Sequence, residues 1–239
     1  MSEMSEMNKM SGVKLDLERI VFIGRTFDEY MRMFALQPEE LHGRSFLDCP
    51  AGACSFTAEA NRRGANAVAA DIAYSYPAEV LHAKGLADIE HTLLQLDKVH
   101  DNFYWDYFQS IKGVESARSE ALKDSTSDRL SHKAHYVPAE LPVLPFADQA
   151  FDVTLSAHFL FTYGDRLDAG FHLETLRELM RVTKEEIRIF PLVDLSCRRY
   201  AHLDKMISYV ESMAWSAREV RVPYEFQKGA NSMLQLKRL

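Results

Sequence analysis

Two aspartates, each at the end of a short apolar run, have the type and spacing for ligand chemistry. Asp48 closes the run 45–48, and Asp71 closes the run 67–71, 23 residues further on. A turn of small residues, 49–55, and a helical pattern over 56–63 separate the two runs. In such a strand, turn, helix and strand, backbone N–H groups at the turn approach a ligand and the second acid can bind a ribose diol. The pattern predicts half of a nucleotide-type site.

The turn excludes two common nucleotide motifs. A dinucleotide fingerprint needs glycine at three set positions, because the pyrophosphate lies against bare backbone. Pro50, Gly52 and Ser55 stand near those positions, and no Gly-Lys-Ser/Thr follows for a Walker motif. One acid and one central glycine with small neighbours remain. This combination resembles motif I of the class I S-adenosylmethionine (SAM) dependent methyltransferases, with Pro50 and Cys54 in place of the outer two glycines.

Two segments of the second half strengthen the resemblance. Residues 144–153 resemble the "LPF-x-D-x-x-FD-V" stretch before the fourth strand of small-molecule methyltransferases, and residues 176–182 resemble the "REL-x-RV" helix before the fifth. Lys184–Glu186 replaces the usual Gly-Gly after that helix. The resemblance covers about 45–72 and 136 to the C-terminus.

The alternation of strand and helix patterns predicts an α/β fold. With the resemblance, we expect a doubly wound, Rossmann-like, seven-stranded sheet with an antiparallel terminal hairpin. The hairpin is predicted from 224–227 and 232–236 around the turn 228–231. Residues 77–134 have a helical composition and are too long for an ordinary crossover, so they predict an inserted helical cap. We expect residues 1–14 to be a disordered tail and 15–239 the methyltransferase domain.

The resemblance implies a role for each matching position. Asp48 would face the methionine end of SAM, Asp71 would accept both ribose hydroxyls, and Ile72 would pack on the adenine. Glu140 and Leu141 would read the adenine edge, and strand-end carbonyls would meet the SAM amino group. The predicted cofactor residues are Asp48, Pro50, Ala51, Gly52, Asp71, Ile72, Glu140, Leu141, Ser156 and Ala157.

Three further features leave alternatives open. His158 follows the fourth strand, where it is either a general base for the acceptor or a packed histidine. The aromatic run 103–108 either forms an acceptor pocket or packs the cap onto the sheet. Tyr30, in an early helix, either closes over SAM or belongs to the core.

Composition limits the partners. A net charge of −7 disfavours nucleic acid, which requires a basic face. The three cysteines lack C-x-x-C spacing, so we expect reduced thiols and no metal site. No signal peptide or membrane span is predicted, so we expect a cytoplasmic protein. We therefore expect SAM-dependent methyl transfer to a small-molecule acceptor. A catalytically silent SAM-binding sensor and a nucleotide-dependent oxidoreductase are the alternatives, and the sequence indicates no oligomeric state.

Overall fold

A single seven-stranded sheet organises the protein, whose computed structural model describes residues 21–239. The strand order is β3-β2-β1-β4-β5-β7-β6. The first five strands pair in parallel, and β7 is antiparallel to both β5 and β6. The strands are β1 (Ser45–Asp48), β2 (Asn66–Asp71), β3 (Tyr136–Pro138), β4 (Phe151–Ala157), β5 (Thr183–Phe190), β6 (Trp215–Arg221) and β7 (Ser232–Arg238).

This arrangement confirms the predicted α/β class. The antiparallel β7 is the arrangement expected of a class I methyltransferase. It does not fit the dehydrogenase alternative, in which further parallel units would follow.

Helices cover both faces of the sheet. They are α1 (Phe27–Met33), α2 (Phe56–Arg62), α3 (Ala78–Lys98), α4 (Ile111–Ser131), α5 (Ala169–Val182) and α6 (Leu203–Ser212). Neighbouring residues of a strand point to opposite faces, so Phe46 enters one core with Phe56, and Leu47 enters the other with Leu176. Burial on both faces explains the apolar runs of the central strands. No helix within residues 21–239 is long and apolar enough to cross a membrane.

The terminal hairpin differs from the prediction. Its first strand is β6, residues 215–221, and the segment 224–227 belongs to the connection before β7. Tyr224 and Phe226 alternate like a strand because both are buried against aromatic residues of 103–108. β6 lies at the sheet edge with mainly polar, partly exposed residues, so its own alternation is weak. The predicted tail, 1–14, lies outside the described residues.

Residues 77–134 contain the two longest helices, α3 and α4, which pack against each other. α4 also contacts α2, next to the turn that follows β1. The two helices therefore lie beside the carboxyl ends of the first strands, where ligands bind in open α/β sheets.

Candidate functional site

A cavity of about 520 Å³ lies at the carboxyl edge of the sheet. This volume is within the range of small-molecule sites, roughly 300–1,000 Å³. Strand-end loops form one wall, and residues of α3 and α4, among them Leu96 and Arg118, line another. The predicted residues that line it are Pro50, Ala51, Gly52, Asp71, Ile72, Glu140, Leu141, Ala157 and His158. Asp48 and Ser156 are buried and do not line the cavity.

The turn after β1 is held by the acid at the end of β2. Gly52 has a φ of +56°, which favours glycine, and its N–H donates to Asp71 Oδ2 over 2.8 Å. Asp71 Oδ1 accepts the Ala73 N–H at 2.9 Å. Burial raises the pKa of Asp71, and these two backbone bonds act against that rise. A carboxylate has about four acceptor positions, so Asp71 keeps capacity for a ligand.

Asp48 is buried at the end of β1 with half of its carboxylate unused. Tyr30 donates its hydroxyl to Asp48 Oδ1 at 3.0 Å, while Oδ2 has no hydrogen-bond partner within residues 21–239. Burial raises the pKa of Asp48 well above its ordinary value, and the nearby charge of Asp71 raises it further. Tyr30 is itself fully buried, so its place is in the core, where it positions the acid.

Arg25 is a cavity residue that the sequence analysis missed. Gly24 brings its segment against the turn after β1, since a Cβ on Gly24 would lie 1.9 Å from the Ala53 carbonyl oxygen. The Arg25 N–H donates to Cys54 Sγ at 3.2 Å, and the Ser55 N–H donates to the Arg25 carbonyl at 3.1 Å. No sequence motif marks Arg25, because its position depends on this contact between distant segments.

The Arg25 guanidinium lines the cavity without an acidic partner. It forms no salt bridge within residues 21–239, and the hydrogen bond of its side chain goes to the Gly24 carbonyl at 3.4 Å. Burial lowers the pKa of Arg25, and the positive charge of Arg118 lowers it further, while the carboxylate of Glu29 acts in the opposite direction. An unpaired cation in such a place favours an anionic ligand group.

A buried ion pair joins α1 to α4 beside Arg25. Arg118 binds Glu29 through two hydrogen bonds of 2.6 and 2.9 Å, and Tyr224 donates to the same carboxylate at 2.8 Å. Burial alone would raise the pKa of Glu29, but Arg118 outweighs it and lowers that pKa. Two arginines, Arg25 and Arg118, line this part of the cavity wall, and one carboxylate, that of Glu29, pairs with Arg118. This part of the wall therefore carries one net positive charge.

His158 follows β4 in an unusual backbone conformation. Its φ is +50°, in the left-handed region, and its N–H donates to the Phe190 carbonyl at 2.6 Å. Its Nε2 has no solvent contact and no hydrogen-bond partner within residues 21–239. Burial, together with the charges of Arg25 and Arg118, lowers the pKa of His158 well below its ordinary value. The imidazole is therefore neutral at physiological pH and able to accept a proton.

The part of the cavity beside the helical insertion is apolar. Of the aromatic run 103–108, Phe103 lines this part, whereas Trp105 and Tyr107 do not. Trp105 stacks on His100 at a ring-centroid distance of 4.4 Å, and Tyr107 donates to Asp28 at 2.7 Å. The run therefore contributes one wall residue and otherwise packs the insertion. Apolar residues of this part are Leu93, Leu96, Phe103, Val114, Leu195 and Phe226.

Comparison with known proteins identifies one curated relative at high coverage. The uncharacterized protein MJ0045 of Methanocaldococcus jannaschii is 34% identical over 225 residues, which are 94% of this chain and 99% of MJ0045. The chain belongs to the MJ0045 family. No family model matches it.

Solved structures resemble this chain in fold. Magnesium protoporphyrin IX methyltransferase from Synechocystis PCC 6803, crystallised with SAM, has a TM-score of 0.47 at 11% identity, covering 89% of this chain and 91% of that one. A SAM-dependent methyltransferase from Aquifex aeolicus has a TM-score of 0.42 at 14% identity, covering 88% and 93%. These likenesses, all with TM-scores below 0.5, assign no residue of this chain a role. The topology and the strand-end cavity are those of the class I methyltransferase fold.

Proposed function

We propose that this protein transfers a methyl group from SAM to a small-molecule acceptor bound in the same cavity. The observation that carries the proposal is the set of unpaired groups around the turn after β1. Asp48 Oδ2 lacks a hydrogen-bond partner and Arg25 forms no salt bridge within the described residues, and the charges of both residues act on the Cys54 thiol, which accepts the Arg25 backbone N–H. A carboxyl group and a guanidinium beside the same turn suit an α-amino acid, which carries an ammonium and a carboxylate.

The residues present fit SAM at both ends of that molecule. Asp48 does not line the cavity, so a shift of the turn that covers it would let it hold the ammonium group, directly or through water, while Arg25 would hold the carboxylate. Asp71, with its remaining acceptor capacity, would hold the ribose hydroxyls. Ile72, which is 57% exposed although apolar, would pack on the adenine beside Glu140 and Leu141. When bound, SAM supplies a methyl group already made electrophilic by the sulfonium.

His158 is the residue we assign to the acceptor. Because its imidazole is neutral and its Nε2 is unpaired, it can accept the proton that a hydroxyl or amine loses as it is methylated. Its left-handed backbone is a strained conformation of the kind found at functional sites. The adjoining apolar residues favour an acceptor with an apolar body.

Calorimetric titration tests the cofactor. We expect SAM and S-adenosylhomocysteine to bind with one site per chain and to raise the melting temperature, whereas NAD does neither. Replacing Arg25 with Met should weaken SAM binding, since a hydrogen bond to a charged group contributes about 1.5–3 kcal/mol. Arg32→Met is the matched control, because Arg32 lies on α1, pairs with exposed Asp28 and does not line the cavity.

A turnover assay then distinguishes a methyltransferase from a catalytically silent SAM-binding sensor. Incubation with methyl-labelled SAM and pooled small-molecule metabolites should yield a labelled product that wild type forms and His158→Gln forms far more slowly. Binding of SAM without any transfer would favour the sensor, and binding of NAD in its place would reject the proposal.

A further inference from the structure

We propose that Asp128, His132 and His135 form a binding site for Zn²⁺, outside the cofactor cavity. Asp128 lies in the last turn of α4, His132 follows its end, and His135 closes the short 3-10 turn Lys133–His135 before β3. The cluster thus lies at the amino end of β3, whereas the cavity lies at the carboxyl ends of the strands.

The ligand atoms already converge. One atom from each of the three residues lies within 4.8 Å of the other two. His132 Nδ1 is 2.8 Å from Asp128 Oδ1, and His135 Nδ1 is 3.5 Å from Asp128 Oδ2. Two atoms each about 2.1 Å from one zinc ion lie at most about 4.2 Å apart, so a small movement of the side chains completes the site.

Neighbouring residues prepare two of the ligands. The Ala67 N–H donates to Asn61 Oδ1, which fixes the amide orientation, so Asn61 Nδ2 donates to His135 Nδ1 at 3.2 Å. This bond orients the His135 ring beside Asp128, and a zinc ion bound at Nδ1 would replace the Asn61 N–H there, because an imidazole nitrogen has a single lone pair. Tyr136 donates its hydroxyl to Asp128 Oδ2 at 3.0 Å, an outer contact of the kind that orients metal-binding carboxylates.

The donor set points to zinc. Two imidazoles and one carboxylate suit Zn²⁺, whereas Mg²⁺ and Ca²⁺ prefer oxygen ligands. The side chain of His132 is 57% exposed and that of His135 33%, so an ion has access from solvent and a water can complete the coordination. A bound ion would tie the end of α4 to the edge of the sheet.

Metal titration of the untagged full chain tests this site. After removal of metals with EDTA, we expect one Zn²⁺ per chain by calorimetry, a higher melting temperature with Zn²⁺ than with Mg²⁺, and visible absorption bands on adding Co²⁺. His132→Ala and His135→Ala should abolish these effects. Tyr136→Phe should weaken Zn²⁺ binding about tenfold, as expected for loss of an outer contact. His202→Ala, which removes an exposed histidine at the start of α6, should change nothing.

Two results would overturn the proposal: no Zn²⁺ binding, or equal binding by wild type and both histidine variants. Either would leave the three side chains as a hydrogen-bonded cluster only. Melting curves in EDTA establish that each variant folds. SAM titrations of the same proteins keep the outcome separate from that of the proposed function, because the cluster does not line the cavity.

Discussion

Replacing Asp48 with Asn should stabilise the free protein and weaken its binding of SAM. Asp48 is fully buried, and burial raises its pKa in the folded state. The folded protein therefore binds a proton here more tightly than the unfolded chain, whose aspartates have a pKa of about 3.9. As the pH rises above that value, the free energy of unfolding falls until the folded pKa is reached. Asn cannot ionise, so the variant avoids this loss.

The magnitude follows from proton linkage. For one proton, the difference in unfolding free energy between variant and wild type grows by up to about 1.4 kcal/mol per pH unit between the two pKa values. The loss of one charge-assisted hydrogen bond to the SAM ammonium, about 1.5–3 kcal/mol, corresponds to a roughly 10- to 150-fold higher Kd.

Urea unfolding between pH 4 and pH 8, without ligand, measures the first effect, and calorimetry with SAM measures the second. Asp152→Asn is the matched control. Asp152 is the second residue of β4, at the edge of the sheet opposite the cavity; it accepts two hydrogen bonds from Ser45, and its pKa is lowered chiefly by the Ser45 N–H. Wild type gains stability from Asp152 as the pH rises through the acid range, so the Asp152→Asn variant should become less stable than wild type over that range while keeping its SAM affinity. An Asp48→Asn variant that is folded and binds SAM like wild type would refute the assigned role. A stability difference independent of pH would refute the linkage argument.

Three further substitutions have defined outcomes. Asp71→Ala should reduce SAM affinity at least about tenfold and lower the melting temperature as well, because the carboxylate also holds Gly52; unchanged calorimetric affinity would mean that Asp71 serves the turn alone. His158→Gln should reduce kcat by about 10²–10⁴ while SAM affinity is retained. Because the pKa of His158 is lowered, the wild-type pH–rate profile should show no loss of activity near pH 6.5, and an acid limb there would contradict a neutral base. Gly24→Ala should destabilise the fold by about 1–3 kcal/mol in urea unfolding, since its Cβ meets backbone atoms that cannot rotate away, and wild-type stability would show that the segment before α1 can move.

The sequence determined the elements whose signal is local. Apolar runs, small turn residues and two strand-end acids are contiguous, so β1, α2 and β2 were predictable together with Asp48, Gly52 and Asp71. The order of strands and helices then determined the fold class. The helices of the insertion were predictable from composition, but which of their residues face the cavity was not.

Tertiary structure alone decided the charges of the site. The Glu29–Arg118 pair joins residues 89 positions apart, and Arg25 reaches the cavity only because Gly24 packs on Ala53. Such contacts leave no periodic pattern, since each depends on two segments meeting after the sheet has formed. β6 escaped prediction for a related reason: an edge strand buries little of its surface, so its sequence carries little of the alternation by which buried strands are recognised.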